Sequence, residues 1–440
     1  MNKKLGNIFK GDKGIWMVFF FLCMISIVEV FSASSGLTYK SHNYVGPIAY
    51  HTGTILAGVV VAIITLNIPC RYFKLMTPFL MALTAVLLLI VLLGGGKSTN
   101  DASRWISIMG FTIQPSEIAK GTIVLAVAQI LSAMQRENGA DHKAFKWILW
   151  ITIPTCLLIG VENLSTAALL FAVVFLMMFI GQVPFRQLGK LMACIASGAI
   201  LAIAMVMLVG NTDQAATEDA KTTAKTEQVV QPKKKNAVEK MLHRADTWKA
   251  RILKFGEPDP TPQEYDLDKD AQVAHANIAI TSSGIIGKGP GQSVERDFLA
   301  QAFSDFIFAI VIEELGIVGA AFVVFLYVIL LFRCARIASR CENNFPAYLV
   351  LGLGLLLVIQ ATFNMMVAVG LAPVTGQPLP LISKGGTSTI INCAYVGAIL
   401  SVSRSAKMKP AADGKGTARQ VAMESQHTRE EAPEKDEITE

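Results

Sequence analysis

The sequence predicts an all-α integral membrane protein with ten transmembrane helices, and its composition and charge distribution support this fold class. Of its 440 residues, 52% are hydrophobic and 16% are charged, whereas soluble domains carry about 25% charged residues. Residues 211–300 contain 27 of the charges and residues 404–440 contain 15, so the other 313 residues share 30. This pattern is typical of a chain dissolved in lipid and excludes the disordered, collagenous and nucleic-acid-binding classes.

Ten apolar runs are long enough to form membrane helices, because a hydrocarbon core of ~30 Å needs about 20 apolar residues in a helix. The runs lie near 15–34, 47–67, 75–93, 116–133, 146–160, 164–181, 188–209, 302–332, 346–369 and 387–403. The fifth run is short and is joined to the sixth by a few residues around Glu162, which predicts a tight helical hairpin. The eighth is long enough to begin outside the membrane.

The basic residues of the loops orient the helices, because cytoplasmic loops of membrane proteins are rich in Lys and Arg. With the N-terminus inside, the inner segments carry 17 Lys and Arg and the short outer loops carry 4. Both termini are therefore expected in the cytoplasm, and one large extracytoplasmic loop is expected between helices 7 and 8. The predicted parts are a cytoplasmic N-terminus 1–14, helices 1–7 in 15–209, the loop 210–300, helices 8–10 in 301–404 and a cytoplasmic tail 405–440.

Two segments outside the predicted spans have the composition of an unfolded chain. Residues 211–240 are polar, repetitive in Ala, Thr and Lys, and lack aromatic residues, so they are expected to be flexible. Residues 241–300 contain aromatic residues and several glycines, which favours a folded cap with short helices. The tail 405–440 alternates basic and acidic residues without aromatics, which predicts disorder.

The first candidate site residues are Glu117 and Lys120 in QPSEIAK, since ionisable residues inside a span are costly and often functional. Three residues apart, the two side chains share one helix face and can neutralise each other. One interpretation is a capped helix with an internal ion pair. The other is the polar lining of a cavity that opens outward.

A second group of acids lies in FSDFIFAIVIEELGIVG. Asp305 is at the outer end of the eighth span, while Glu313 and Glu314 lie 8 and 9 residues further on, about 12–13 Å along a helix. An acid at the mouth of a span beside several phenylalanines is well placed to act as a base, and the alternative is a helix N-cap. Glu313 and Glu314 are expected to be structural and to pair with groups on neighbouring helices.

Two glycine-rich segments have the composition of anion-binding loops. TGQPLPLISKGGTS, 375–388, cannot continue a helix, and the amides of its Gly-Gly turn could hold a phosphate with Lys384 adding charge. SSGIIGKGPGQS, 282–293, resembles a phosphate-cradling loop but lacks the GK[ST] and helix of a nucleotide P-loop. Arg244, Trp248 and Arg251 share one helix face and could lie against lipid headgroups, and Arg104 with its neighbouring Trp repeats that combination.

Three motifs in order, RWISIMGFTIQPSEIAK, SDFIFAIVIEELG and TGQPLPLISKGG, resemble the SEDS (shape, elongation, division and sporulation) proteins. Their spacing, the number of spans and the large outer loop match over about residues 12–404. The chain is more similar to the division branch of that family than to the elongation branch, on the basis of VFSASS at the end of the first span and the overall length.

The resemblance implies a glycosyltransferase of the bacterial cytoplasmic (inner) membrane that polymerises lipid II into peptidoglycan strands, with its active site on the extracytoplasmic side. Asp305 matches the family's catalytic aspartate, which deprotonates the acceptor 4-hydroxyl while undecaprenyl pyrophosphate leaves. Glu117 and Lys120 match a polar pair in the central cavity. The further candidates for substrate contacts are Arg104, Arg244, Arg251, Gln272, Lys288, Ser383, Lys384, Gly385 and Gly386.

The resemblance also implies partners and allows a cofactor. A monofunctional class B penicillin-binding protein, a transpeptidase, would cross-link the new strand, and other division proteins would join it. A divalent cation, Mg²⁺ or Mn²⁺, could bind the donor diphosphate, although the sequence contains no visible metal-ligand cluster. Where many relatives have Gln-Pro-Asp-Leu-Gly-Thr, this chain has VENLST, so Asn163 replaces the usual acid and a catalytic or metal role there is doubtful.

Two other functions fit part of the sequence. A lipid-linked precursor transporter also has ten spans with charges near mid-membrane, but it needs polar groups through both membrane halves, whereas these candidates cluster toward the outer face. A division scaffold without chemistry would recruit partners through its helices and tail, and Asp305 would then be dispensable.

Overall fold

A computed structural model describes residues 10–41, 46–95, 97–99, 102–108, 111–137, 139–209, 271–299 and 302–406, and this part of the chain is mostly helical. The helices before the long loop are α1 (Lys13–Ser41), α2 (Gly46–Asn67), α3 (Cys70–Ile90), α4 (Pro115–Ala133), α5 (His142–Glu162), α6 (Leu164–Ile180) and α7 (Phe185–Val209). The helices after residue 270 are α8 (Ala271–Ser282), α9 (Ile307–Ala338), α10 (Asn344–Ala368) and α11 (Thr387–Ala406).

Each of the ten apolar runs coincides with one long helix, and the eighth run corresponds to α9 because α8 is a short helix of 12 residues. Among the described helices, α1 to α5, α9 and α10 are long and apolar enough to cross a membrane, and α6 is apolar but shorter. The helix of the fifth run is longer than expected, since α5 extends over 21 residues. Asp141 is its N-cap, and the Asp141 carboxylate accepts from the Lys143 amide at 3.0 Å. Asn163 alone separates α5 from α6.

The structure departs from the all-α prediction in two places. Strands β1 (Lys97–Thr99), β2 (Ala102–Ile108) and β3 (Phe111–Ile113) form an antiparallel meander between α3 and α4, and β4 (Gln135–Arg136) pairs with β5 (Gly139–Ala140). β2 contains Trp105, Ile106 and Ile108, residue types that favour strands, and Ile106 lies opposite Ile113. This segment lies between two apolar runs, so strand pairing rather than the length of a span sets its conformation.

Helix α10 lies at the centre of the bundle and packs against α9, α4, α6 and α11. Most of α4 and α10 is buried, whereas most of α2 and α3 is not. Large apolar side chains on the outer helices are exposed, including Leu56, Phe79 and Trp150, which are 62%, 74% and 73% exposed. Such a surface is costly in water and is what lipid-facing helices present to a bilayer.

The two ends of the described chain lie at the same end of the bundle. The Arg333 guanidinium is 2.9 Å from the Asp12 carboxylate, and the Asp12 amide donates to Ser403 Oγ at 2.8 Å. These contacts join the start of α1 to the last turns of α9 and α11. Asp305 precedes the first residue of α9, and Arg333 is near the last residue of that helix. Asp305 therefore lies at the opposite end of the bundle from Arg333.

Helix α9 is broken at Gly316, where φ is 69° and ψ is −173°, a conformation that is almost exclusive to glycine. A glycine-rich segment fits into the break: the Lys288 amide donates to the Glu313 carbonyl at 3.0 Å, and the Gly289 amide to the Glu314 carbonyl at 2.8 Å. The two glutamates therefore lie in the first helical segment of α9, which ends just before the break.

The break predicts that Gly316→Ala is destabilising. An alanine Cβ there would lie 2.3 Å from the Ile285 carbonyl oxygen, and the conformation itself costs about 1–3 kcal/mol for other residues. The test is the thermal unfolding temperature of both proteins in the same detergent. Gly189→Ala in α7 is the control, because a Cβ there meets no atom within 4 Å. Equal unfolding temperatures for the two variants would contradict the prediction.

Candidate active site

Asp305 lies two residues before Ile307, the first residue of α9, and is half-buried. The N-cap of α9 is Phe306, which makes no side-chain capping bond, so the structure does not support the N-cap interpretation of Asp305. Ser304 Oγ donates to the Asp305 carboxylate at 2.9 Å, and the Asn364 side-chain amide donates to the Asp305 carbonyl at 2.8 Å. The position of Asp305 is therefore set by groups outside its helix.

The loop 375–388 is hydrogen-bonded to the residues that precede Asp305. The Lys384 amide donates to the Phe303 carbonyl at 2.9 Å, and Ser383 Oγ donates to the Ser304 carbonyl at 2.6 Å while accepting from the Leu379 amide at 2.7 Å. The structure thus brings Ser383 and Lys384, two predicted site residues, next to Asp305. Ser383 is almost fully buried, which favours a role in holding the loop.

Lys384 places a cation next to Phe303. Its Nζ lies 4.8 Å from the centre of the Phe303 ring, a cation–π distance. Partial burial lowers the pKa of the Lys384 ammonium. A half-buried ammonium that lies near Asp305 can offset negative charge that develops in a substrate.

The predicted Gly-Gly turn leads directly into α11. Gly386 has φ of 51°, and the Gly385 carbonyl accepts from the Ser388 amide at 3.0 Å, which starts the helix. The first turn of a 20-residue helix carries unpaired amides and partial positive charge. The turn and Lys384 therefore form an electropositive edge beside Asp305, as an anion-binding function of this loop requires.

Glu117 and Lys120 form an ion pair of 2.9 Å inside the bundle, where the side chains are 1% and 0% exposed. Lys120 Nζ also donates to Gln360 Oε1 at 2.6 Å, and Gln360 Nε2 donates to the Pro378 carbonyl at 3.0 Å. The pair is thus linked to the 375–388 loop through α10. It is packed rather than open in this conformation, so direct contact of either residue with substrate remains a prediction that requires the bundle to open.

Asn163, at the junction of α5 and α6, is part of the same region. Its Oδ1 accepts from the Thr166 amide at 3.2 Å and caps α6, and Thr166 Oγ1 accepts from the Gln377 side chain. Beside it, Gln114 and Glu162 line a cavity of about 20 Å³, which has room for one water molecule. Asn163 therefore caps α6, and Thr166 links this junction to the loop.

Glu313 and Glu314 bind the glycine-rich segment that resembled a phosphate-cradling loop. Lys288 Nζ is 2.7 Å from Glu313 Oε1, and the amides of Gly291 and Ser293 donate to the Glu314 carboxylate at 2.9 and 3.2 Å. The anions held by this loop are thus carboxylates of the same chain. The expectation that these glutamates pair with neighbouring helices is wrong for most contacts, although Ser32 of α1 also donates to Glu314.

Other predicted substrate contacts are separate from this cluster or cannot be placed. Lys288 is engaged by Glu313, and Gln272 is exposed on the first turn of α8. Arg104 lies in strand β2, while Arg244 and Arg251 lie outside the described residues. Their role as substrate ligands stays a prediction.

The sequence analysis missed four polar residues that join the site together. Gln360 and Asn364 are one turn apart on α10, and polar side chains in an otherwise apolar span were a signal that could have identified them. Ser26 Oγ in α1 donates to the Ile382 carbonyl at 2.6 Å and lies 2.9 Å from His51 Nε2 in α2. These bonds anchor the loop to both N-terminal helices.

The described residues do not form a cluster of ligands for the expected divalent cation. Within the described ranges, no group of three or more His, Cys, Asp or Glu side chains could hold a metal ion. Glu117 and Glu313 are each paired with a lysine. A cation at a substrate diphosphate needs only one or two protein carboxylates, so the expected Mg²⁺ or Mn²⁺ stays a prediction, and no chemical step below depends on it.

Comparisons with known proteins identify the family of this chain. Residues 12–408 match the family model described as "Cell cycle protein", which is named for FtsW, RodA and SpoVE. The chain belongs to this family. The resemblance of its three motifs to SEDS proteins is therefore confirmed, and the match includes every helix and loop of the site described above.

Relatives from both branches of the SEDS family are similar over nearly the whole chain. The probable peptidoglycan glycosyltransferase FtsW of Trichlorobacter lovleyi is 29% identical over 403 residues, which are 88% of this chain and 92% of that protein. The peptidoglycan glycosyltransferase MrdB of Escherichia coli is 26% identical over 399 residues, 90% and 94% of the two chains. The expected division branch and the elongation alternative both fit these relatives.

Solved structures share the fold. A chain from a study of how a peptidoglycan synthase complex coordinates polymerization and crosslinking has a TM-score of 0.66 at 22% identity, covering 91% of this chain and 99% of its own. The rod shape determining protein RodA of Thermus thermophilus has a TM-score of 0.59 at 20% identity, covering 92% and 100%. With its apolar helices, this SEDS protein is a multi-pass membrane protein.

The buried ion pair predicts non-additive effects on stability. Glu117→Gln or Lys120→Met alone leaves an uncompensated buried charge, which costs about 3–5 kcal/mol, while the double variant leaves none and loses less than the sum. Unfolding temperatures of the three variants in one detergent test this. Arg136→Ala, which removes a 74% exposed member of a surface pair, is the control and should change little. Additive losses would contradict a direct pair.

Proposed function

We propose that this SEDS protein is a peptidoglycan glycosyltransferase that polymerises lipid II into glycan strands during septal wall synthesis. The observation that carries the proposal is the hydrogen bonding of residues 303–304, just before Asp305, to the loop that carries Lys384 and leads into α11. A base next to a diphosphate-binding edge is what glycosyl transfer from a lipid diphosphate requires. The names of the similar FtsW and MrdB proteins support the same activity.

In the proposed reaction, the Asp305 carboxylate removes the proton from the 4-hydroxyl of the acceptor GlcNAc. The hydroxyl oxygen attacks the anomeric carbon of the donor MurNAc and forms the new glycosidic bond. The bond from that carbon to the diphosphate oxygen breaks, and undecaprenyl pyrophosphate leaves with the electron pair, so the configuration inverts. Lys384 and the amides of the first turn of α11 offset the growing negative charge on the diphosphate.

The proposed topology has ten spans in the bacterial cytoplasmic (inner) membrane, with both termini in the cytoplasm and Asp305 on the extracytoplasmic side. Three observations support it: the excess of basic residues on the inner loops, the contact of Asp12 with Arg333 and Ser403 at one end, and the position of Asp305 at the other. The long loop then faces the compartment where peptidoglycan is built.

The proposed partner is a class B penicillin-binding protein, whose transpeptidase activity would cross-link the strand as it emerges. The fold similarity to a chain of a peptidoglycan synthase complex supports a partner of this kind. Other division proteins are the further expected partners, in line with the similarity to FtsW.

Replacement of Asp305 tests the proposed base. Asp305→Ala and Asp305→Asn should lower lipid II polymerisation by about 10²–10⁴-fold, because neither side chain can accept the proton. The assay uses purified protein with its partner transpeptidase and fluorescent lipid II, and strand products are resolved by gel. Asp297→Asn, an exposed acid in the preceding loop, is the control and should polymerise normally.

The result also separates the alternatives. Normal polymerisation by both Asp305 variants would overturn the role of this residue. A silent wild-type protein that moves lipid II across vesicle membranes would replace the glycosyltransferase with the transporter. A wild-type protein without either activity that still recruits division proteins would favour the scaffold.

Lys384 predicts a pH dependence of substrate affinity. Because burial lowers its pKa, the ammonium loses its proton at a lower pH than an ordinary lysine, and its attraction for the diphosphate is lost as pH rises through that lowered pKa. The KM for lipid II should therefore rise at alkaline pH. In Lys384→Arg, which stays charged, that rise should disappear. An unchanged alkaline rise in the arginine variant would assign the effect to another group.

A further inference from the structure

Asn364 on α10 joins two segments of the site with one side-chain group. Its amide nitrogen donates to the Asp305 carbonyl at 2.8 Å and to the Gln377 carbonyl at 2.7 Å. The side chain is 1% exposed. One NH₂ group in the interior of the bundle therefore connects the peptide of Asp305 to the loop that carries Lys384.

The bond from Asn364 completes a series. The carbonyls of Phe303, Ser304 and Asp305 accept, in that order, from the Lys384 amide, Ser383 Oγ and the Asn364 amide. The hydrogen bonds that begin α9 start one residue later, where the Ala309 amide donates to the Phe306 carbonyl at 2.9 Å. The backbone of Asp305 is thus oriented by these donors, since it precedes the regular part of the helix.

The chemistry of the contact requires a neutral donor with two N–H groups. Both acceptors are backbone carbonyls, so a carboxylate at position 364 would face two partial negative charges and could donate to neither. The Gln377 side chain continues the network to Thr166 Oγ1. Asn364 is therefore held within a network that extends from α10 to α6, as pre-organisation of a site requires.

A neighbour on α10 provides a comparison. Gln360, one turn earlier, is equally buried and donates to the Pro378 carbonyl, but its other contact is Lys120. Both residues hold the loop, and Asn364 alone of the two also holds the peptide of Asp305. An effect on the loop alone would be shared by Gln360 and Asn364, whereas an effect on Asp305 would come from Asn364.

We infer that Asn364 is a positioning residue for glycosyl transfer, which fixes the Asp305 peptide relative to the 375–388 loop so that the base and Lys384 keep their mutual position. The inference rests on the proposed function. Asn364 acts through Asp305 and does not bind substrate, so its loss should lower kcat and leave KM for lipid II nearly unchanged.

The test compares Asn364→Ala and Asn364→Asp with wild type and with Thr362→Ala. Thr362 is exposed on the same helix, and its hydroxyl donates to the Val358 carbonyl one turn earlier. It is therefore the control for a substitution in α10. We expect kcat to fall about 10- to 100-fold in both Asn364 variants, because a displacement of about 1 Å has this effect, with KM within about twofold. Asn364→Asp should be at least as impaired as Asn364→Ala.

A second measurement distinguishes positioning from stability. In an Asp305→Asn background, Asn364→Ala should cause no further loss of residual polymerisation, because both changes act on the same step. Unfolding temperatures of all variants are measured in the same detergent. Should Asn364→Ala not fold, Asn364→Ser, which keeps one donor, takes its place and should retain part of the activity.

The outcomes keep the inference and the proposed function apart. Inactive Asp305 variants together with a fully active Asn364→Ala overturn the inference alone. A rise in KM with a matching fall in unfolding temperature overturns it in favour of a general structural role. Active Asp305 variants overturn the proposed base whatever Asn364 does.

Discussion

The structure of the candidate site depends on three consecutive backbone carbonyls, those of Phe303, Ser304 and Asp305. None belongs to a regular helix, and each accepts from a donor on the 375–388 loop or on α10. A buried carbonyl without a partner costs free energy comparable to a lost hydrogen bond, so these donors fix the conformation of the segment. The positions of Asp305 and Lys384 are consequences of this pairing between two segments about 80 residues apart.

The apolar helices could be predicted from the sequence because a bilayer imposes a length and a composition on every span. The same argument could not identify the meander between α3 and α4, where strand pairing rather than lipid sets the conformation. It also missed the break at Gly316, because a glycine inside an apolar run does not reveal its φ angle. Neighbouring backbone at Gly287 fills the space that a side chain would occupy.

At the site, single residues were easier to predict than their partners. Asp305, Lys384 and the Glu117–Lys120 pair were visible as charges in or beside apolar runs, and the last pair was predictable from its spacing. Glu313 and Glu314 were visible for the same reason, but their partners lie in the glycine-rich segment, which a pattern of spacing cannot reveal. Asn364 is visible in the sequence as a polar residue in an apolar span, but the two carbonyls that it contacts could be identified only from the structure.

The break at Gly316 also bears on how the protein tolerates membranes of different thickness. A span adapts to hydrophobic mismatch by tilting. The backbone on both sides of Gly316 is bonded to the same glycine-rich segment: the Lys288 and Gly289 amides donate to the Glu313 and Glu314 carbonyls, and the Val318 amide donates to the Ile285 carbonyl at 3.3 Å. We therefore expect α9 to tilt as one unit with residues 285–289 in a bilayer of different thickness, rather than to bend at the glycine.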